Sequence, residues 1–118
     1  MAAMIGLAGL AACAKSPEGR SIPGADPALG LAVIESQGCG ACHQIPGVDW
    51  PRGQVGGSLA GFAERPLIAG RHPNQPDVLM RWLRDPPALS PDTAMPATGL
   101  TEAQARDVAA YLYTLDDR

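Results

Sequence analysis

Hydrophobic and polar positions divide the chain into an apolar leader, a polar stretch and three helical segments. Residues 1–14 carry no charge and are almost wholly Ala, Gly, Leu, Ile and Met. That run is shorter than the roughly 20 residues a membrane-crossing helix needs, and it fits the apolar region of an export signal, here without a basic start. Residues 14–25 are polar, interrupted by Pro17, Gly19, Pro23 and Gly24, and lack any period. A flexible tether is expected there. Asp26-Pro27, an N-cap followed by proline at the first helical position, opens a helix that Gly38 closes. A second helix follows Asn74-Gln75-Pro76 and stops at Asp85-Pro86, with Leu79, Trp82 and Leu83 on one apolar face at spacing i, i+3, i+4. Thr101-Glu102-Ala103-Gln104 has the capping-box pattern and starts a third, running to about Leu115 with Val108, Tyr111, Leu112 and Leu115 on one face. A short fourth helix is expected near Leu59 to Glu64. No stretch alternates as a strand, and no internal repeat is present. The expected fold class is all-α and rich in loops, with an export signal over 1–12, a tether over 13–25 and one domain over 26–118.

Composition complicates this simple picture. Gly 14 and Pro 12 make up more than a fifth of 118 residues, and Trp 2, Tyr 2 and Phe 1 are the only aromatics. Alanine supplies much of the apolar content. A domain this small and this poor in large side chains is marginal in the surface it can bury, so a non-protein centre to the core is expected. The net charge is −3, with Lys15 the single lysine and no basic run, which argues against nucleic acid as a partner.

The three cysteines have separate explanations. Leu10-Ala11-Ala12-Cys13 resembles the lipobox of bacterial lipoproteins, in which the cysteine is lipidated after cleavage. Ala12-Cys13-Ala14 also fits ordinary small-x-small signal cleavage, which would discard Cys13. Cys39-Gly40-Ala41-Cys42-His43, directly after the first helix, is the attachment pattern of a c-type haem. Two thiols three positions apart can each add to one vinyl group, and the next residue offers an imidazole to the iron. Gly40 and Ala41 keep the bridge free of bulk. A thioredoxin-like pair would need a βαβ setting, and a zinc site four ligands where Cys39, Cys42, His43 and His72 are the whole supply. A Cys39–Cys42 disulfide would leave the adjacent histidine unexplained. For the second axial position the candidates are His72, Met80 and Met95. Met95, in Thr93-Ala94-Met95-Pro96, is preferred as a soft, neutral thioether on a proline-flanked loop. Met80 reads as core filler and His72 as a loop or surface residue.

From Ala28 to Leu115 the chain resembles the class I cytochromes c, and most narrowly the haem c domain fused to subunit II of bacterial haem–copper (caa3-type) oxidases. That narrower resemblance rests on Gly70-Arg71-His72-Pro73-Asn74-Gln75-Pro76, Leu79, Trp82, Asp85-Pro86 and Thr93-Ala94-Met95-Pro96. It implies three main helices with long loops around one covalently bound haem c, and His43 and Met95 on the iron. It also implies a first helix crossing the last, through Gly30 and Ile34 against Tyr111 and Leu112. The family's Gly-Pro-x-Leu turn corresponds to Gly56-Gly57-Ser58-Leu59, so Gly57, in place of proline, would offer the carbonyl that orients His43. Trp82, Arg71 and Asn74 would be donors to the haem propionates, in keeping with five arginines against two acids over residues 52–84.

The function implied is electron transfer in a bacterial respiratory chain, with a terminal oxidase or a quinol or dehydrogenase complex as partner. The expected location is the periplasmic side of a cell membrane, held by a lipid on Cys13, or else soluble in the periplasm. With no room for the copper domain of those oxidase subunits, the chain reads as the haem domain alone on a tether. Rival readings are a haem enzyme or gas-binding sensor whose iron lacks Met95, and a fixed relay subunit of a larger complex.

Overall fold

The computed structural model describes residues 20–116. Cys13 and the expected leader lie outside them. The expected all-α class holds. Four helices, α1 (Pro27–Gln37), α2 (Pro76–Arg84), α3 (Pro86–Leu89) and α4 (Glu102–Leu112), are joined by long loops. Single 3-10 turns lie at Cys39–Ala41 and Phe62–Glu64, the latter within the expected short fourth helix. Two residue pairs, β1 (Leu67–Ile68) and β2 (His72–Pro73), form an antiparallel bridge too short to leave an alternating pattern in sequence.

Each main helix starts where its cap lies. The Asp26 carboxylate accepts from the N–H groups of Ala28 (2.9 Å) and Leu29 (3.3 Å), and Pro27 follows, where a missing N–H costs nothing. Gly38 ends α1 at φ +71°, a left-handed conformation that glycine adopts without strain. In α4 the Gln104 N–H donates to Thr101 Oγ1 (3.1 Å) and the Thr101 N–H to Gln104 Oε1 (3.0 Å), closing the capping box. This last helix stops at Leu112, short of the expected Leu115. The Thr114 hydroxyl bonds back to the Tyr111 carbonyl (2.6 Å). Leu115 is still buried, in an irregular turn whose carbonyl accepts from the Ala63 N–H.

α1 and α4 cross at Gly30, which lies closest to Asp107 and Val108. A methyl group there would overlap the Asp107 carbonyl oxygen and stand 3.0 Å from the Val108 nitrogen, one turn before Tyr111 and Leu112. Ile34 and Leu112 share the core with Ile68, Leu79, Leu83, Leu100 and Val108. Leu79, Trp82 and Leu83 form the buried face of α2, as their spacing requires. At its C-terminal end Thr98 donates to the Leu83 carbonyl (2.6 Å) and Arg84 Nε to that of Leu100 (3.1 Å), fixing the exit of the loop that carries Met95.

Residues 20–25, inside the expected tether, lie against the domain. The Arg20 guanidinium donates to the carbonyls of Ala63 and Arg65, Ile22 packs on the core, and Arg106 Nη2 donates to Pro23 O (2.7 Å). Among the described residues no helix is long and apolar enough to cross a membrane.

Candidate functional site

The segment after α1 is shaped by its own backbone. Gly38 reverses the helix, and the carbonyl of Cys39 then accepts from the N–H groups of Cys42 (3.2 Å) and His43 (3.1 Å). This tight turn leaves Cys39 half-buried and Cys42 exposed, both as free thiols. Burial pushes the Cys39 thiol up, a backbone hydrogen bond opposes this, and Cys42 adds a smaller upward push.

The following loop folds back onto this turn at three glycines. The Gly53 N–H donates to Gly40 O (2.8 Å) and the Gly56 N–H to Cys42 O (2.7 Å). A methyl group on Gly40 would meet the Pro51 carbonyl at 2.7 Å, and one on Gly53 would overlap the Ala41 carbonyl. On Gly56 it would lie 2.6 Å from Nδ1 and 2.7 Å from Nε2 of His43, and nearer still to Cε1. Only hydrogen fits at these positions. In the sequence Gly56 stands only as part of a turn, and its contact with the ring leaves no separate signal there.

His43 Nδ1 lies 2.7 Å from the carbonyl oxygen of Gly57. A carbonyl can only accept, so Nδ1 carries the proton and Nε2 keeps its lone pair. The half-buried imidazole is thereby held in the tautomer that can bind a metal through Nε2. Tyr111 supports the same loop: its hydroxyl donates to Pro46 O (2.5 Å), close over Gly47 at φ +92°. Burial, and secondarily Glu35, push its phenol up. Tyr111 was expected as a helix-packing residue only.

Met95 and Met80 are both half-buried and packed against the core. The Met95 N–H donates to Thr93 Oγ1 (3.3 Å). His72 is not a free surface residue. Its Nε2 lies 2.9 Å from the hydroxyl of buried Ser90, and its ring is 5.7 Å from that of Trp82. Trp82 is buried, at 8% exposure, with its ring beside that of His72.

The other two expected propionate donors are engaged elsewhere. Asn74, 1% exposed, donates from Nδ2 to Phe62 O (3.2 Å) and Arg65 O (2.9 Å) and accepts from the Tyr113 hydroxyl at 3.0 Å. Both amide hydrogens are in use, and Asn74 ties the segment before α2 to the 62–65 turn and the end of α4. Arg71 is on the surface, 3.6 Å from Asp92, and both side chains are mostly exposed. Of the remaining arginines in that segment, Arg65 donates to the carbonyls of Ser58 and Ala60, and Arg84 to Leu100.

This donor set fits a covalently attached haem. It offers two thiols on one tight turn, an imidazole with Nε2 available and a half-buried thioether on an anchored loop. Among the described residues no group of three or more His, Cys, Asp or Glu side chains is placed to hold a metal by itself.

The family model described as cytochrome c matches residues 27–116. Cytochrome c oxidase subunit 2 of Alkalihalophilus pseudofirmus (strain ATCC BAA-2126 / JCM 17055 / OF4) is 33% identical over 87 residues, which cover 73% of this chain and 25% of that protein. The protein of the same name from Bacillus sp. (strain PS3) is 34% identical over 87 residues, covering 70% and 24%. The chain thus spans about a quarter of the length of these curated relatives.

Proposed function

The chain belongs to the cytochrome c family, and on that premise we propose that it is a mono-haem electron carrier that passes electrons to a respiratory terminal oxidase. Family membership brings haem c and haem-based electron transfer. The bound haem supplies a reversible one-electron couple. Cys39 and Cys42 would hold it through thioethers, and His43 and Met95 would ligate its iron. The observation that carries this reading is the 2.7 Å approach of His43 Nδ1 to the Gly57 carbonyl, which leaves Nε2 as the coordinating atom. The Gly56 backbone against the ring then limits its rotation. Trp82 donates its indole N–H to a propionate, and Arg71 contributes positive charge at the surface. With His43 and Met95 both on the iron, no ligand position would be left for a substrate, and the chain would serve as a carrier rather than an enzyme.

The oxidase as partner is supported by the names of the two relatives. The apolar leader and Cys13 support export and a lipid anchor on the periplasmic side of a bacterial membrane. Expression with a c-type haem maturation system tests the core of this proposal. Intact mass should show one haem per chain, retained after denaturation, and a redox titration should follow a single one-electron curve. Covalent haem persisting in a Cys39→Ser/Cys42→Ser double variant would contradict it.

A further inference from the structure

Two large apolar side chains on the loop that covers the cysteine turn have no role in the site described above. Trp50 is 85% exposed and Val55 81%. Their loop is not a loose one: between them Pro51 O lies against Gly40, and the Gly53 N–H is bonded to Gly40 O. An exposed tryptophan on a backbone held this firmly loses little entropy on being covered, which favours its use in binding.

We propose that Trp50 and Val55 form the docking face for a redox partner protein with an apolar, net-neutral contact surface; this rests on the electron-carrier reading above. Charge selects the partner's chemistry. Over residues 44–61 the only charges are Asp49 and Arg52, one of each sign, so neither a strongly acidic nor a strongly basic surface is favoured. Area selects the kind of complex. Trp50 offers roughly 200 Å² and the pair roughly 300 Å², well below the ~800 Å² per partner of a stable complex and within the range of brief electron-transfer encounters. Position supplies the reason. Gly53 lies on Ala41 and Cys42, and Cys42 is exposed, so a partner seated on Trp50 stands beside the cysteine turn. The step is loss of one electron by the carrier and its gain by an oxidised metal centre of the partner, with no bond made or broken.

The test compares wild type with Trp50→Ser and Val55→Ser, all haem-loaded and reduced, by stopped-flow oxidation. One oxidant is ferricyanide, which needs no docking face. The other is respiratory membranes from the organism that supplies the sequence. Trp50→Ser should lower the second-order rate with membranes about tenfold or more, equally at low and high salt, and leave the ferricyanide rate unchanged. Val55→Ser should act in the same direction, but less. An unchanged membrane rate in Trp50→Ser, or a wild type that ferricyanide oxidises and membranes do not, overturns the proposal. So does loss of binding to protein-free phosphatidylglycerol/phosphatidylethanolamine vesicles, which makes lipid the occupant, or of a wild-type dimer, which makes it a second copy. Failure of the electron-carrier reading has its own readout, a wild type that ferricyanide does not oxidise.

Discussion

Replacing Gly56 by alanine perturbs the imidazole of His43 directly. The added methyl would stand 2.6 and 2.7 Å from the two ring nitrogens, whereas ordinary contact begins at 3.4 Å. Ring and loop must therefore separate by about 1 Å. The loop is held by the Gly56 N–H on Cys42 O, and the ring by Gly57 O at the same 2.7 Å. A shift of about 1 Å on the second bond takes it to about 3.7 Å, which is no longer a hydrogen bond. Overpacking costs about 1–3 kcal/mol and the lost bond about 1 kcal/mol, so roughly 2–4 kcal/mol in all. For a domain of this size Tm should fall by about 10 °C or more. There is a second consequence for the haem-loaded protein. Without an acceptor on Nδ1 the imidazole is a poorer donor, ferric iron is less stabilised, and the reduction potential should rise. Thermal unfolding followed at the haem absorbance, together with spectroelectrochemical titration, reads both effects. A Gly56→Ala protein with wild-type Tm and potential would refute the reasoning.

Gly30→Ala should destabilise by about 3 kcal/mol, since the new methyl meets the backbone of Asp107 rather than a side chain that can turn away; guanidinium unfolding midpoints check this. Asn74→Ala removes three hydrogen bonds, one of them buried and two partly so, and should cost about 2–4 kcal/mol, yet leave the reduction potential unchanged, as befits a structural tie. Burial pushes the Tyr113 phenol up to about 12, with Asp77 adding to this and Arg20 opposing it. The folded state then holds the proton more tightly than the unfolded chain does. The stabilisation is complete below pH 10.0, the ordinary phenol value, and is lost as pH rises towards about 12. Tyr113→Phe, compared with wild type in alkaline unfolding titrations, should remove that segment of the curve while losing about 1 kcal/mol at neutral pH.

The helices were legible because their ends are marked chemically: Asp26-Pro27 and Gly38 bracket α1, and Thr101 with Gln104 opens α4. The spacing of Leu79, Trp82 and Leu83 fixed the buried face of α2. Other features depended on contacts that no local pattern records. Pro86-Pro87 reads as a breaker, yet two prolines fit the first turn of a helix, and α3 forms there. Asn74 looks like any loop amide until Phe62, Arg65 and Tyr113 are brought to it by the fold. Arg20 lies in a stretch with tether composition, and only the carbonyls of Ala63 and Arg65, more than forty residues away, hold it. The site divides in the same way. Cys39, Cys42 and His43 are neighbours in sequence and readable as a unit, whereas the fit of Gly40, Gly53 and Gly56 against that unit exists only after the loop folds back. The shortage of large apolar side chains has a physical counterpart in Met80, Met95, Cys39 and Leu59, which pack on the core without being buried in it.

The most direct test of the central claim is the far-red absorption of the oxidised, haem-loaded protein. With His43 and Met95 both on the iron, the wild type shows the weak sulfur-to-iron charge-transfer band, Met95→Ala loses it, and Met80→Ala and His72→Ala keep it. A wild type without the band, or a Met95→Ala protein that retains it, would contradict the assignment of this chain as a carrier closed at both axial positions.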